Sequence, residues 1–121
     1  MTDYQKLEAI YNEIDTLIAN NVMAESPEFE SWHSRAERFL VNRFGRNSYE
    51  VTDFSNTLFS PTMYVPGADY IRISTCCNGL KKTKDVFKDY LIEIKEEMSE
   101  KDEKLSEDVH PDSSYQNNKV F

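Results

Sequence analysis

The stretch Phe29–Gly45, FESWHSRAERFLVNRFG, decides the fold. Phe29, Trp32, Ala36, Phe39, Leu40 and Phe44 recur at steps of three and four, so successive helical turns place large rings and leucine on one face. That face must be buried. Ser26-Pro27-Glu28 supplies an N-cap type, a proline suited to the first helical position and an acid for the first turn. Gly45 supplies the residue that accepts a left-handed C-terminal conformation without penalty. Along the flanks sit Arg35, Arg38, Arg43 and Arg46, the densest run of guanidinium groups in an otherwise acidic chain.

On the N-terminal side, Leu7, Ile10, Tyr11, Ile14, Leu17 and Ile18 form a second helical stripe. A helix is expected from Thr2 to about Met23, capped by Thr2 or Asp3 and weakened at Asn20-Asn21. On the C-terminal side, Asn47 or Ser48 is placed to cap a short helix through Tyr49, Val51 and Phe54, ending near Ser55-Asn56. From Thr57 to Asp69 the pattern becomes irregular, with Ser60-Pro61 and Pro66-Gly67 punctuating an aromatic loop that contains Phe59, Met63 and Tyr64.

A last helix starts near Ala68, with Tyr70, Ile73, Cys77, Leu80, Phe87, Leu91, Ile94 and Met98 on one face. Run without a break to Glu103 it would be about 51 Å long, against a domain on the order of 33 Å across. A bend near Asn78-Gly79 or a projecting C-terminal half is therefore expected. No segment alternates with a strand period of two, so the fold class is all-α. Four helices make a compact bundle with one long C-terminal helix and the irregular loop 57–69. Residues 1–104 read as a single helical domain and 105–121 as a polar tail.

The chain has 121 residues, 39% of them hydrophobic, enough for one core without disulfides. Its formal net charge of −8 excludes a broad phosphate-neutralising face, so duplex nucleic acid is not an expected partner. An anionic ligand would have to be small and locally met. The only two cysteines, Cys76 and Cys77, are neighbours and poorly placed to bond to each other. With no apolar run approaching about 18 residues, no membrane role is expected, and the cytoplasm of a bacterial host cell is the expected location.

Among chemistry-bearing residues, His33 stands one turn from Glu30 and Glu37, a spacing that lets imidazole and carboxylate share a metal. The other histidine, His110, is in the tail, so a solvated helix face explains these residues more simply, and no metal or cofactor is expected. Cys76-Cys77 reads as core packing, and Trp32 as the centre of the aromatic stripe. No nucleophile with a matched base is visible, so an enzyme is not expected.

The arginines are more informative. Arg43 and Arg46 flank Gly45 and lead into Ser48 at a helix N-terminus, where backbone N–H groups favour an anion. A guanidinium grips phosphate through two parallel hydrogen bonds. With Arg72 from the last helix, and Tyr64 and Tyr70 as stacking rings, these residues form a candidate ligand-binding set. The competing reading is a solvated face on which Arg35 and Arg38 pair with Glu28, Glu30 and Glu37.

The spacing Phe29-x-x-Trp32, Phe39-Leu40, Phe44-Gly45, Ser48 and Phe54, followed by Asn78-Gly79-Leu80 and a long acidic helix, covers about residues 28–98. It resembles a helical module that accompanies TIR-like or nucleotide-sensing domains in bacterial anti-phage proteins. Small stand-alone phage proteins that act as sponges for cyclic nucleotides belong to the same setting. The resemblance implies a non-enzymatic, homo-oligomeric binder that sequesters a cyclic di- or trinucleotide. The alternative is a protein–protein interaction module, an adaptor or inhibitor, using the acidic helix Lys95–Glu103 and the tail ending Asn118-Lys119-Val120-Phe121.

Overall fold

A computed structural model describes residues 1–63 and 66–109, with side chains described as far as residue 99. Four helices follow in order: α1 Asp3–Ala19, α2 Pro27–Phe44, α3 Tyr49–Ser55 and α4 Asp69–Val109. Among the described residues there is no strand, and the all-α expectation holds. The chain divides into two compact units, residues 1–91 and 92–121. The first contains α1, α2, α3 and the start of α4; the second holds the rest of α4.

Local chemistry accounts for the helix ends. Thr2 caps α1 through a reciprocal box, its hydroxyl accepting from the Gln5 N–H at 3.1 Å while the Thr2 N–H donates to the Gln5 side chain at 3.0 Å. α1 stops at Ala19, four residues short of Met23, because Asn21 takes a positive φ of 52° that breaks the ladder. Ser26 occupies the N-cap position of α2, but its hydroxyl makes no cap bond and instead accepts from the Met23 N–H at 2.9 Å, closing the turn before the helix. At the far end Gly45 has φ 101° with an extended ψ of 149°, so the positive φ is as expected but the conformation is not left-handed helical. Ser48, not Asn47, caps α3 by accepting from the Val51 N–H at 3.2 Å.

α2 packs on both α1 and α3. Its stripe is buried at Phe29, Trp32, Ala36, Phe39 and Leu40, with Phe44 half-buried, and it meets Leu7, Ile10, Ile14 and Leu17 of α1 as the interior of one bundle. Trp32 is wholly enclosed, and its indole N–H donates to the Ile10 carbonyl at 3.0 Å. Around it lie Phe29 at 5.7 Å, Phe54 of α3 at 6.1 Å and Phe59 of the connecting loop at 6.2 Å between ring centroids. Phe87 of α4 continues the cluster by stacking on Phe54 at 5.9 Å.

α4 shows no break at Asn78-Gly79; helical structure continues through both residues. It also extends to Val109, five residues into the segment expected to be tail, and residues 110–121 lie outside the described residues. Its buried face is rotated from the expected one near its start. Cys76, Gly79, Leu80 and Thr83 are buried, whereas Cys77 and Ile73 are half-buried and Tyr70 is 74% exposed. The reason is the loop. At Gly79 the backbone of Leu58 and the ring of Phe59 lie so close that a Cβ would stand 2.4 Å from the Leu58 oxygen and 2.7 Å from Phe59 Cδ1. The chain after α3 therefore presses directly on α4 at Gly79 and selects which side is covered.

This contact sets two effects against each other. Alanine favours a helix interior over glycine by about 1 kcal/mol, whereas forcing a methyl into closed backbone costs roughly 1–3 kcal/mol or more. The overlap with a backbone oxygen wins. Gly79→Ala is expected to lower the thermal midpoint by several degrees, since about 1 kcal/mol moves a small domain by roughly 4–8 °C. The exposed neighbour Asn78→Ala, in the same helical turn, is expected to be neutral or stabilising in the same calorimetric scan; equal responses would remove the close-contact explanation.

Candidate functional site

Of the expected ligand set, Arg72 lines a described cavity whose other lining residues do not include Arg43, Arg46, Ser48 or Tyr70. Arg43, half-buried at the end of α2, pairs with Asp3 of α1 at 3.2 Å, and its guanidinium lies 6.0 Å from the Phe44 ring centroid. Arg46 is exposed, and the Ser48 hydroxyl is engaged in capping α3. Tyr70 is exposed on the first turn of α4, Arg72 pairs with Asp69 one turn before it, and Tyr64 lies outside the described residues. Arg35, the other well-placed guanidinium, forms a two-pronged pair with Glu13 of α1 at 2.5 and 2.9 Å. Those hydrogen bonds raise its already high pKa, ahead of the opposing effect of burial. Arg35 and Arg43 meet Glu13 and Asp3 of α1, 22 and 40 residues away in sequence.

One cavity of about 320 Å³ does open beside Arg72. Pro61, Met63, Ala68 and Ile71 form its apolar lining, and Glu25 and Arg72 contribute one charge of each sign. Its size falls at the lower limit for small-molecule sites. A carboxylate facing the same space offsets the guanidinium, so phosphate meets no net positive field there. Residue type, a guanidinium and an aromatic ring, singled out Arg72 and Tyr70; Glu25 carries no motif and enters because the turn before α2 folds beside the loop.

Phe59 of loop 57–69 is buried, its ring centroid 5.0 Å from that of Phe29 and 5.5 Å from that of His33. His33 itself stacks on Phe54 with ring centroids 4.7 Å apart. Among the described residues, no group of three His, Cys, Asp or Glu side chains is placed to hold a metal ion. Cys76 is fully enclosed and its thiol is pushed up to about 11, chiefly by burial and secondarily by Cys77 and Glu25, which leaves it protonated and unreactive near neutrality. No described helix is long and apolar enough to cross a membrane.

Comparison with family models, curated proteins and solved structures gives no match. The resemblance built on Phe29, Trp32, Phe39, Phe44 and Asn78-Gly79 thus rests on spacing, and in this chain those positions other than the exposed Asn78 are packed. Phe29, Trp32 and Phe39 are core, Gly45 terminates α2, and Gly79 receives the loop.

The aromatic seat of His33 makes the bundle acid-sensitive. Burial lowers its pKa below the ordinary value of 6.5, and Glu37 only partly opposes this. The folded chain thus disfavours the imidazolium relative to the unfolded chain. Its stabilising contribution is complete above 6.5 and is lost as pH falls through the lower folded-state value. The thermal midpoint of the native protein is expected to drop, between neutral pH and mild acid, more than that of His33→Phe. Parallel curves for the two proteins would show that His33 is not the group responsible.

Proposed function

We propose that this chain is a non-enzymatic protein–protein interaction module, an adaptor or inhibitor, with the acidic C-terminal part of α4 as its contact surface. The observation that carries this reading is the distribution of charge. Arg35, Arg43 and Arg72 each pair with an acid of their own chain at partly exposed positions. Residues 92–109, by contrast, hold eight acids and three lysines, a net charge of −5 out of the chain's −8. Helical structure extends through all of these residues. A long-range negative field of this kind selects and steers protein partners.

A second reading, sequestration of a small phosphorylated nucleotide, is supported by the cavity at Arg72 and the exposed Tyr70 beside it. It requires the Arg72–Asp69 pair to yield to the ligand and Glu25 to tolerate an anion. The two readings separate experimentally. Under the interaction reading, cyclic di- and trinucleotides give no heat in titration calorimetry. In cross-linking of source cells, a discrete partner is captured through Lys95, Lys101 or Lys104. Stoichiometric heat with a cyclic nucleotide, abolished by Arg72→Ala or by Arg43→Ala with Arg46→Ala, would establish sequestration instead.

A further inference from the structure

We infer that the cavity between the turn before α2 and the start of α4 takes a small zwitterion with an apolar body, a molecule of the size and chemistry of an aliphatic amino acid. The site lies wholly in the unit of residues 1–91, so it stands independently of the interaction reading, which concerns residues 92–109. Two opposite charges line this one space, Glu25 from the turn and Arg72 from α4. Among the described residues no ion pair joins them, and a carboxylate that Arg72 does meet is Asp69 on its own helix. Behind burial and the adjacent Cys77, Glu25 is a further cause of the raised pKa of the Cys76 thiol, so its charge is felt on α4 one turn beyond Arg72. Much of the remaining wall is apolar. Ala68 is buried and Met63 is 75% exposed, so with Pro61 and Ile71 the apolar lining runs from the interior out to solvent.

Each feature of the wall selects against a different ligand. A singly charged molecule leaves one wall charge facing its apolar body, stripped of water without a partner, which is costly. An uncharged molecule leaves both. A ligand carrying both signs offers its carboxylate to the guanidinium, whose planar fork donates two parallel hydrogen bonds, and its ammonium to Glu25. Asp69 does not stand in the way: its side chain is 68% exposed, a pair that solvated is weak, and a guanidinium has several N–H donors to share. The apolar body then covers Pro61, Ala68 and Ile71, with the unbranched Met63 able to adapt at the mouth. The volume, about 320 Å³, sits at the small end of ligand sites and limits the occupant to few heavy atoms.

The test is titration calorimetry on the full chain with four compounds that share a short aliphatic body: leucine and ε-aminocaproate as zwitterions, isocaproate as the anion and isoamylamine as the cation. At least one zwitterion is expected to bind about tenfold or more tightly than either singly charged compound. Glu25→Gln then separates a zwitterion from an anion held by Arg72 alone, because it removes the partner of the ammonium. The zwitterion is expected to lose about tenfold, whereas an anion would gain. Arg72→Gln, which removes the other wall charge, is expected to weaken the zwitterion as much. Glu25 is exposed and Arg72 reaches solvent, so both variants are expected to keep the native helical circular dichroism. Isocaproate or isoamylamine binding as tightly as the zwitterions, no heat from any of the four, or zwitterion binding unchanged in Glu25→Gln would each overturn the inference.

Discussion

The bundle depends on a single buried polar group finding its partner. Trp32 is wholly enclosed, and an indole N–H left unbonded there would cost roughly 1–3 kcal/mol, a large share of a small domain's stability. The Ile10 carbonyl meets it at 3.0 Å. A carbonyl oxygen has two lone pairs, so one inside α1 can serve the helical ladder and the indole together. This bond fixes the rotation and height of α2 against α1 in a way that aliphatic contacts, which tolerate sliding, do not. With the indole so held, Phe29, Phe54 and Phe59 are brought around it, and α3 and the following loop are positioned through those rings.

What could be read from sequence follows from how local each determinant is. The stripes Leu7–Leu17 and Phe29–Leu40 are properties of a single helix, and both proved to be the buried faces. The caps at Thr2 and Ser48 involve residues three apart and were legible as one of two adjacent candidates each, Thr2 or Asp3 and Asn47 or Ser48, while the part played by Gln5 was not read. The rotated face at the start of α4 was not, because nothing within that helix says that Leu58 and Phe59 will lie on Gly79. Helical spacing alone permits either Cys76 or Cys77 to point inward, and only the loop decides for Cys76. The hydroxyl of Ser26 shows the same limit on a smaller scale: a favourable N-cap residue was claimed by the Met23 N–H of the preceding turn.

The candidate site was legible only as an inventory. Arginines, tyrosines and a helix start were correctly seen to be close in sequence, but a pocket requires convergence, and convergence is set by partners from other helices. Glu13 and Asp3 of α1 reach Arg35 and Arg43 across the α1–α2 interface. Each pair is partly exposed, so it contributes only modestly to stability, yet it sets where a flexible guanidinium points.

These pairings also explain why the acidity of the chain is uneven. Residues 1–91 contain thirteen acids and ten bases, a net charge of −3, and several of those charges meet across helices: Arg35 with Glu13, Lys84 with Asp15 at 2.7 Å, Lys82 with Asp53 at 3.9 Å. Neutralising its own acids keeps a small bundle from being strained by self-repulsion. Residues 92–109 carry −5 on 18 residues, a density too high to be balanced by their three lysines. A helix gains nothing in stability from such an excess, since like charges one turn apart repel. The fold thus neutralises its charge where helices meet across an interface and leaves it in excess where α4 runs on alone in sequence, so the uneven acidity follows from which residues have a partner helix within reach.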